Sequence, residues 1–202
     1  MQSKLGTVIL LNGVSSAGKT SISRALVKRE TFKIYHLSID EFSQKFAQNY
    51  ADFINQMFPD LEESDQDRED IVVPIIFGPI MKMYYTTIKL FAATGRNVVV
   101  DTVIESKEEM KELLDLLSGM PIMFVAVKCS REELKRREQE RGDRKPGLAL
   151  TQYEKVYAYD HYDLELDTER LSPVEAANEI LDFIESKRAF TAVDRMRRSF
   201  QI

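Results

Sequence analysis

The chain has 202 residues, a net charge of −5, and 44% hydrophobic against 30% charged residues. That length suits one domain with a sizeable core, and the acidic balance argues against general nucleic-acid binding, which needs a basic face. No apolar run approaches a membrane span, the run Val8 to Leu11 is too short for a signal-peptide core, and a single cysteine, Cys129, excludes an internal disulfide and fits a reducing cytoplasm.

Along the chain, β-rich and amphipathic segments alternate. Residues 6–12 (GTVILLN) form a short apolar strand candidate, and 19–30 place Ile22, Ala25 and Leu26 at helical spacing. Residues 32–40 (FKIYHLSID) read as a second strand ending in an aspartate. The spacing of Phe42, Phe46, Tyr50, Phe53 and Met57 predicts a helix over 41–58. Residues 60–70 carry seven acids against one base and read as a solvated loop. A helix is expected over 74–95, opened or kinked near Gly78 and Pro79 and closed by Gly95. A buried strand over 96–103 (RNVVVDTV) follows, with a further aspartate near its end. Helices are predicted over 106–119 and 130–142, each opened by a Ser-x-x-Glu cap, Ser106 with Glu109 and Ser130 with Glu133. Between them lies a strand over 121–129. A short helix (148–159), an edge-like strand (162–168) and a capped helix (172–187) complete the pattern. Such alternation implies right-handed βαβ crossovers and a parallel sheet with helices on both faces.

The most informative segment is GVSSAGKT, Gly13-x-x-x-x-Gly18-Lys19-Thr20. It is the phosphate-binding loop pattern, and it stands between a strand and a helix. Small residues at Ser15, Ser16 and Ala17 let the backbone curl so that successive N–H groups converge on a phosphate. The following helix, with Ser21 in its first turn, points its positive end at the same place. Lys19 would reach the β- and γ-phosphates, and the Thr20 hydroxyl would face Mg²⁺.

Ligands of a parallel sheet bind at the carboxyl ends of its strands. Asp40 and Asp101 stand at two such ends. One could take a proton from a substrate hydroxyl; the other could hold Mg²⁺ or orient the substrate. A third element, RREQERGDRKPG (136–147), places Arg137, Arg141 and Arg144 across a helix end and a Gly/Pro-bearing loop, where small kinases carry a cationic lid. His36 and His161 have no partner spacing for a metal or a catalytic triad and read as packed or surface residues. The aromatic stripe from Phe42 to Phe58 reads as core rather than pocket lining.

These residues together resemble the chloramphenicol phosphotransferase family. The resemblance is carried by ILLNGVSSAGKTSI, SID, VVVDTV and the RGDR-x-x-G segment that runs on to D-x-E-x-D-T, over roughly residues 7–168. It implies an α/β P-loop fold like that of nucleoside monophosphate kinases, with a five-stranded parallel sheet, and transfer of the ATP γ-phosphate to a hydroxyl of a small molecule. It also implies that Asp40 is the base, that Lys19 and Thr20 serve nucleotide and metal, and that Arg137, Arg141 and Arg144 are lid cations. Zeta-toxin-like kinases share the same features more distantly.

The expectation is therefore a cytoplasmic ATP- and Mg²⁺-dependent O-kinase in one domain, 1–187. Its acceptor region is about 41–95, its lid about 137–150, and a tail follows over 188–202. Asp40, Lys19, Arg141 and Arg144 are the expected catalytic residues. Gly13, Ser15 to Ser21 and Arg137 would bind nucleotide, and Thr20 and Asp101 would hold the metal. A small hydroxyl acceptor is the expected partner, without nucleic acid or membrane. Kinases of nucleotide sugars or nucleoside monophosphates, and a non-catalytic nucleotide switch, are the alternatives. A phosphate-bearing acceptor would require arginines over 41–100, where only Arg68 and Arg96 occur.

Overall fold

A computed structural model describes residues 5–29, 32–45, 78–142, 147–159 and 161–201. Its elements, in chain order, are β1 (Val8–Asn12), α1 (Lys19–Val27), β2 (Ile34–Ser38), α2 (Gly78–Ala93), β3 (Asn97–Thr102) and α3 (Lys107–Leu116). After these come β4 (Ile122–Lys128), α4 (Arg131–Arg141), α5 (Leu148–Val156), β5 (Leu164–Asp167), α6 (Pro173–Glu185) and α7 (Ala192–Phe200). Residues 39–45 are also helical. The rest of the helix expected over 41–58, the acidic loop 60–70 and the start of the helix expected over 74–95 lie outside the described residues.

The five strands form one sheet in the order β2–β3–β1–β4–β5, with every neighbouring pair parallel. The central strand β1 is buried along its whole length, which is why it reads as an unbroken apolar run rather than an alternating one. Its side chains still alternate between the two faces. Ile9 and Leu11 join Ile22, Leu26, Leu134, Ala177 and Ile180 under α1, α4 and α6. Val8 and Leu10 join Tyr84, Ile88, Met110, Leu113 and Met196 under α2, α3 and α7. Truncating one of these buried leucines to alanine would cost about 2–5 kcal/mol.

Local signals set most helix starts. Ser106, Ser130 and Ser172 each accept a hydrogen bond from the backbone N–H three residues on. Ser172 with Glu175 completes a full capping box. In α3 the Glu109 side chain instead reaches back to the N–H of Glu105, one residue beyond the cap.

Residues 192–200, in the expected tail, form α7 and pack against the sheet. Val193 and Met196 are buried. Asp163 caps this helix from a distance, accepting from the N–H groups of Thr191 (2.7 Å) and Ala192 (3.0 Å). No described helix is long and apolar enough to cross a membrane.

Candidate active site

The loop between β1 and α1 is built by steric exclusion. A Cβ at Gly13 would lie 2.5 Å from the Val127 carbonyl oxygen, so only glycine fits against β4. Gly18 adopts φ +99°, in the left-handed region where glycine carries no penalty. Lys19, the first residue of α1, is 7% exposed. Its Nζ donates to the carbonyls of Gly13 (2.6 Å) and Val14 (2.9 Å), so the ammonium lies over the loop. Charge and the positive end of α1 thereby meet at one cradle, while the N–H groups of Ser15 and Ala17 are taken by Gln152 Oε1 (2.9 Å) and the Val14 carbonyl (3.3 Å).

Sheet register brings the two aspartates to that cradle. Asp101 of β3 pairs with Leu11 on one side and Ser38 on the other. Asp40 follows Ser38 by two residues, at the start of the helical stretch 39–45 rather than in the strand. Thr20 Oγ1 donates to Asp101 Oδ2. Burial alone would raise the Asp101 carboxyl, but His36, Lys19 and Thr20 outweigh it and hold the group below its ordinary 3.8. The His36 imidazole is packed and its Nε2 lies 3.7 Å from Asp101 Oδ2, beyond hydrogen-bond reach. The Tyr84 hydroxyl donates to the Leu37 carbonyl (2.8 Å). It is held protonated far above its usual range chiefly by burial, with the charges of Asp101 and Asp40 adding to the effect.

The arginines divide. Arg137 of α4 is tied to the loop region: its Nη1 donates to Thr168 Oγ1 (3.0 Å), its Nη2 to the Thr168 carbonyl (2.7 Å), and its Nε to Glu133 (2.8 Å). Arg141, at the end of α4, lines the same cleft. Arg144 lies outside the described residues. Glu138, 5% exposed, accepts from the N–H groups of Gly147 (3.0 Å) and Ala149 (2.7 Å), which fixes α5 against α4.

Together these groups line a cleft of about 670 Å³. Ser15, Ser16, Gly18, Lys19, Thr20, Ser21, Asp40, Asp101, Arg137 and Arg141 all face it. Gly13 and Ala17 are buried in the loop and are not among the lining residues. Cations gather on the side of the loop, α1 and α4, as Lys19, Arg24, Arg137 and Arg141. The wall from residues 39–40, α2, the end of β3 and α3 contributes Asp40, Asp101 and Glu109, and no cation among the described residues. Glu109 is raised above the usual carboxylate range, chiefly by burial.

Sequence reasoning gave no role to Thr168 or His36. Thr168 stood inside the D-x-E-x-D-T signature, yet its contacts cross 151 residues to Ala17, and no local pattern announces them.

The model of the chloramphenicol phosphotransferase-like protein family matches residues 6–185. The chain belongs to that family. A Mycobacterium tuberculosis protein named "Putative O-phosphotransferase" is 32% identical over 96% of this chain and 89% of its own length. Among solved structures, the M. tuberculosis APS kinase CysC in complex with AMPPNP and APS is similar, with a TM-score of 0.63 and 18% identity over 90% of this chain and 98% of that one. Shikimate kinase from Acinetobacter baumannii in complex with shikimate gives a TM-score of 0.60 at 15% identity, over 92% of this chain and 96% of that one. This family member thus has the fold of the P-loop kinases, with the expected five-stranded parallel sheet and flanking helices.

Proposed function

We propose that this family member is an ATP-dependent O-kinase that moves the γ-phosphate to a hydroxyl of an uncharged small molecule. The observation that carries the reading is the polarity of the cleft beside the phosphate loop. Lys19 and the arginines form its phosphate side, with Asp101 hydrogen-bonded to Thr20 beside Lys19, while Asp40 lines the cleft from the start of the helical stretch 39–45. Family membership and the O-phosphotransferase relative support the same chemistry.

In this reading Lys19, Arg137, Arg141 and Arg144 bind and screen the phosphates. Asp40 takes the proton of the acceptor hydroxyl as the new P–O bond forms and the bond to the β-phosphate oxygen breaks. Thr20 Oγ1 and Asp101 Oδ2, hard oxygen donors already side by side, fit a divalent cation. Mg²⁺ bound there would neutralise charge on the β- and γ-phosphates. The acidic acceptor wall disfavours an acceptor that bears phosphate. A non-catalytic switch would have no use for a carboxylate at position 40.

The test is transfer of radiolabel from [γ-³²P]ATP with Mg²⁺ to a panel of neutral hydroxyl compounds, chloramphenicol among them, beside nucleotide sugars and nucleoside monophosphates. A labelled phosphoester of a neutral compound is expected. Transfer confined to phosphate-bearing acceptors would overturn the acceptor class, and absence of ATP-analogue binding would overturn the kinase reading.

A further inference from the structure

A chain of hydrogen bonds runs from the phosphate loop to the acidic wall of the cleft, and its junction is Gln152 of α5. The N–H of Ser15 donates to Gln152 Oε1 at 2.9 Å. Gln152 Nε2 donates to Glu105 Oε1 at 2.8 Å. The N–H of Glu105 donates to Glu109 Oε2 (3.1 Å), and the Tyr85 hydroxyl of α2 donates to Glu109 Oε1 (3.1 Å). Gln152 is 8% exposed and lines the cleft. Its two bonds fix the carboxamide one way round: only the oxygen can accept from Ser15, and only the nitrogen can donate to Glu105.

We propose that Gln152 is a positioning residue that couples the phosphate loop to the acceptor wall, holding Ser15 and Glu105 in register with each other. The proposal rests on the kinase reading above. In-line transfer needs the donor phosphorus and the attacking oxygen aligned, and a misplacement of about 1 Å can cost on the order of 10²-fold in rate. The strands set their own ends through backbone register. The loop and the segment that leads into α3 lie beyond the strands, and Gln152 bonds to both. A glutamine suits this place because it is neutral and both accepts and donates. A glutamate would still accept from Ser15 but would set its carboxylate against that of Glu105.

The experiment is hydrogen exchange with and without Mg²⁺–AMPPNP on the full chain, with AMPPNP affinity by calorimetry and a thermal melt of each variant. In the wild type, AMPPNP is expected to slow exchange over both 12–27 and 103–112. Gln152→Leu should bind AMPPNP within about threefold of wild type and keep protection over 12–27, yet lose it over 103–112. Gln152→Glu should lose the same protection, and Glu105→Gln combined with it should restore protection by reversing donor and acceptor. If Gln152→Leu does not fold, the glutamate variant and its rescue carry the test. Persistent protection over 103–112 in the single variants, or no rescue in the double one, would overturn the coupling. Loss of AMPPNP binding in Gln152→Leu would also overturn it, since Gln152 would then be building the nucleotide site itself. A wild type that does not bind AMPPNP would instead sink the kinase reading.

Discussion

Arg137 is bound to Thr168 twice, through the hydroxyl oxygen at 3.0 Å and the main-chain carbonyl at 2.7 Å. The same hydroxyl donates to the Ala17 carbonyl of the phosphate loop at 2.8 Å. One threonine at the end of β5 therefore sets the position of a guanidinium and braces the loop beside it. Thr168→Val keeps the shape and removes the hydroxyl. The valine carbonyl still accepts from Arg137, so the guanidinium should shift rather than leave. Loss of one charge-assisted bond and one neutral bond costs the free protein about 2–4 kcal/mol. AMPPNP affinity should fall about tenfold, and Thr168→Ser should recover it. Calorimetry on the three proteins checks this; equal affinities would leave Thr168 as packing alone.

Lys19→Ala removes the ammonium over the loop. Its bonds to Gly13 and Val14 are the ones phosphate oxygens would compete with. AMPPNP affinity should fall about 10- to 100-fold, and the free protein should melt a few degrees lower because the Gly13 and Val14 carbonyls lose their donor. Near-normal affinity would contradict the loop assignment.

Asp40→Asn separates binding from transfer. The loop amides, Lys19 and Thr20 are untouched, so AMPPNP should bind as before. Phosphoryl transfer to the acceptor found in the labelling screen should drop on the order of 10²- to 10⁴-fold. A variant that turned over at the wild-type rate would move the base elsewhere, with Asp101 next in line.

Asp101 has a stability signature with a definite sign. Its carboxyl in the folded protein sits below its ordinary 3.8. Its contribution is therefore present above pH ~4 and is lost as pH falls through the lowered folded value. Asp101→Asn removes that contribution. Wild type should exceed the variant by about 1–3 kcal/mol at neutral pH, and the gap should narrow below pH ~4. Urea unfolding of both proteins at pH 7, 5, 4 and 3 measures it. A gap that widens on acidification would mean that the neighbours of Asp101 do not favour its charged form.

What the sequence determined by itself is what neighbouring residues can enforce on one another. The loop from Gly13 to Thr20, the serine caps at 106, 130 and 172 and the unbroken apolar run of β1 are written within a few residues each, so composition and spacing reveal them. That Asp101 and Asp40 come to the same side of the sheet was legible because a parallel sheet presents all its carboxyl ends on one side, although Asp40 stands two residues past β2, in the helical stretch 39–45. Only the tertiary structure decided which residues meet beyond those local patterns. Asp101 lies against Thr20 across 81 residues, Gln152 against Ser15 across 137, and Thr168 against Ala17 across 151. Nothing in the sequence near Gln152 or His36 marks them, and the D-x-E-x-D-T signature around Thr168 does not name its partners, because these are brought together by the strand order β2–β3–β1–β4–β5 and by the seating of α4 and α5 on the sheet. The packing of α7 is of the same kind: Asp163 caps it from a distant part of the chain, and its apolar side chains find their core only once β4 and α3 are in place. A hydrogen bond acts over about 3 Å, and only the closed fold brings groups so distant in the chain within that range.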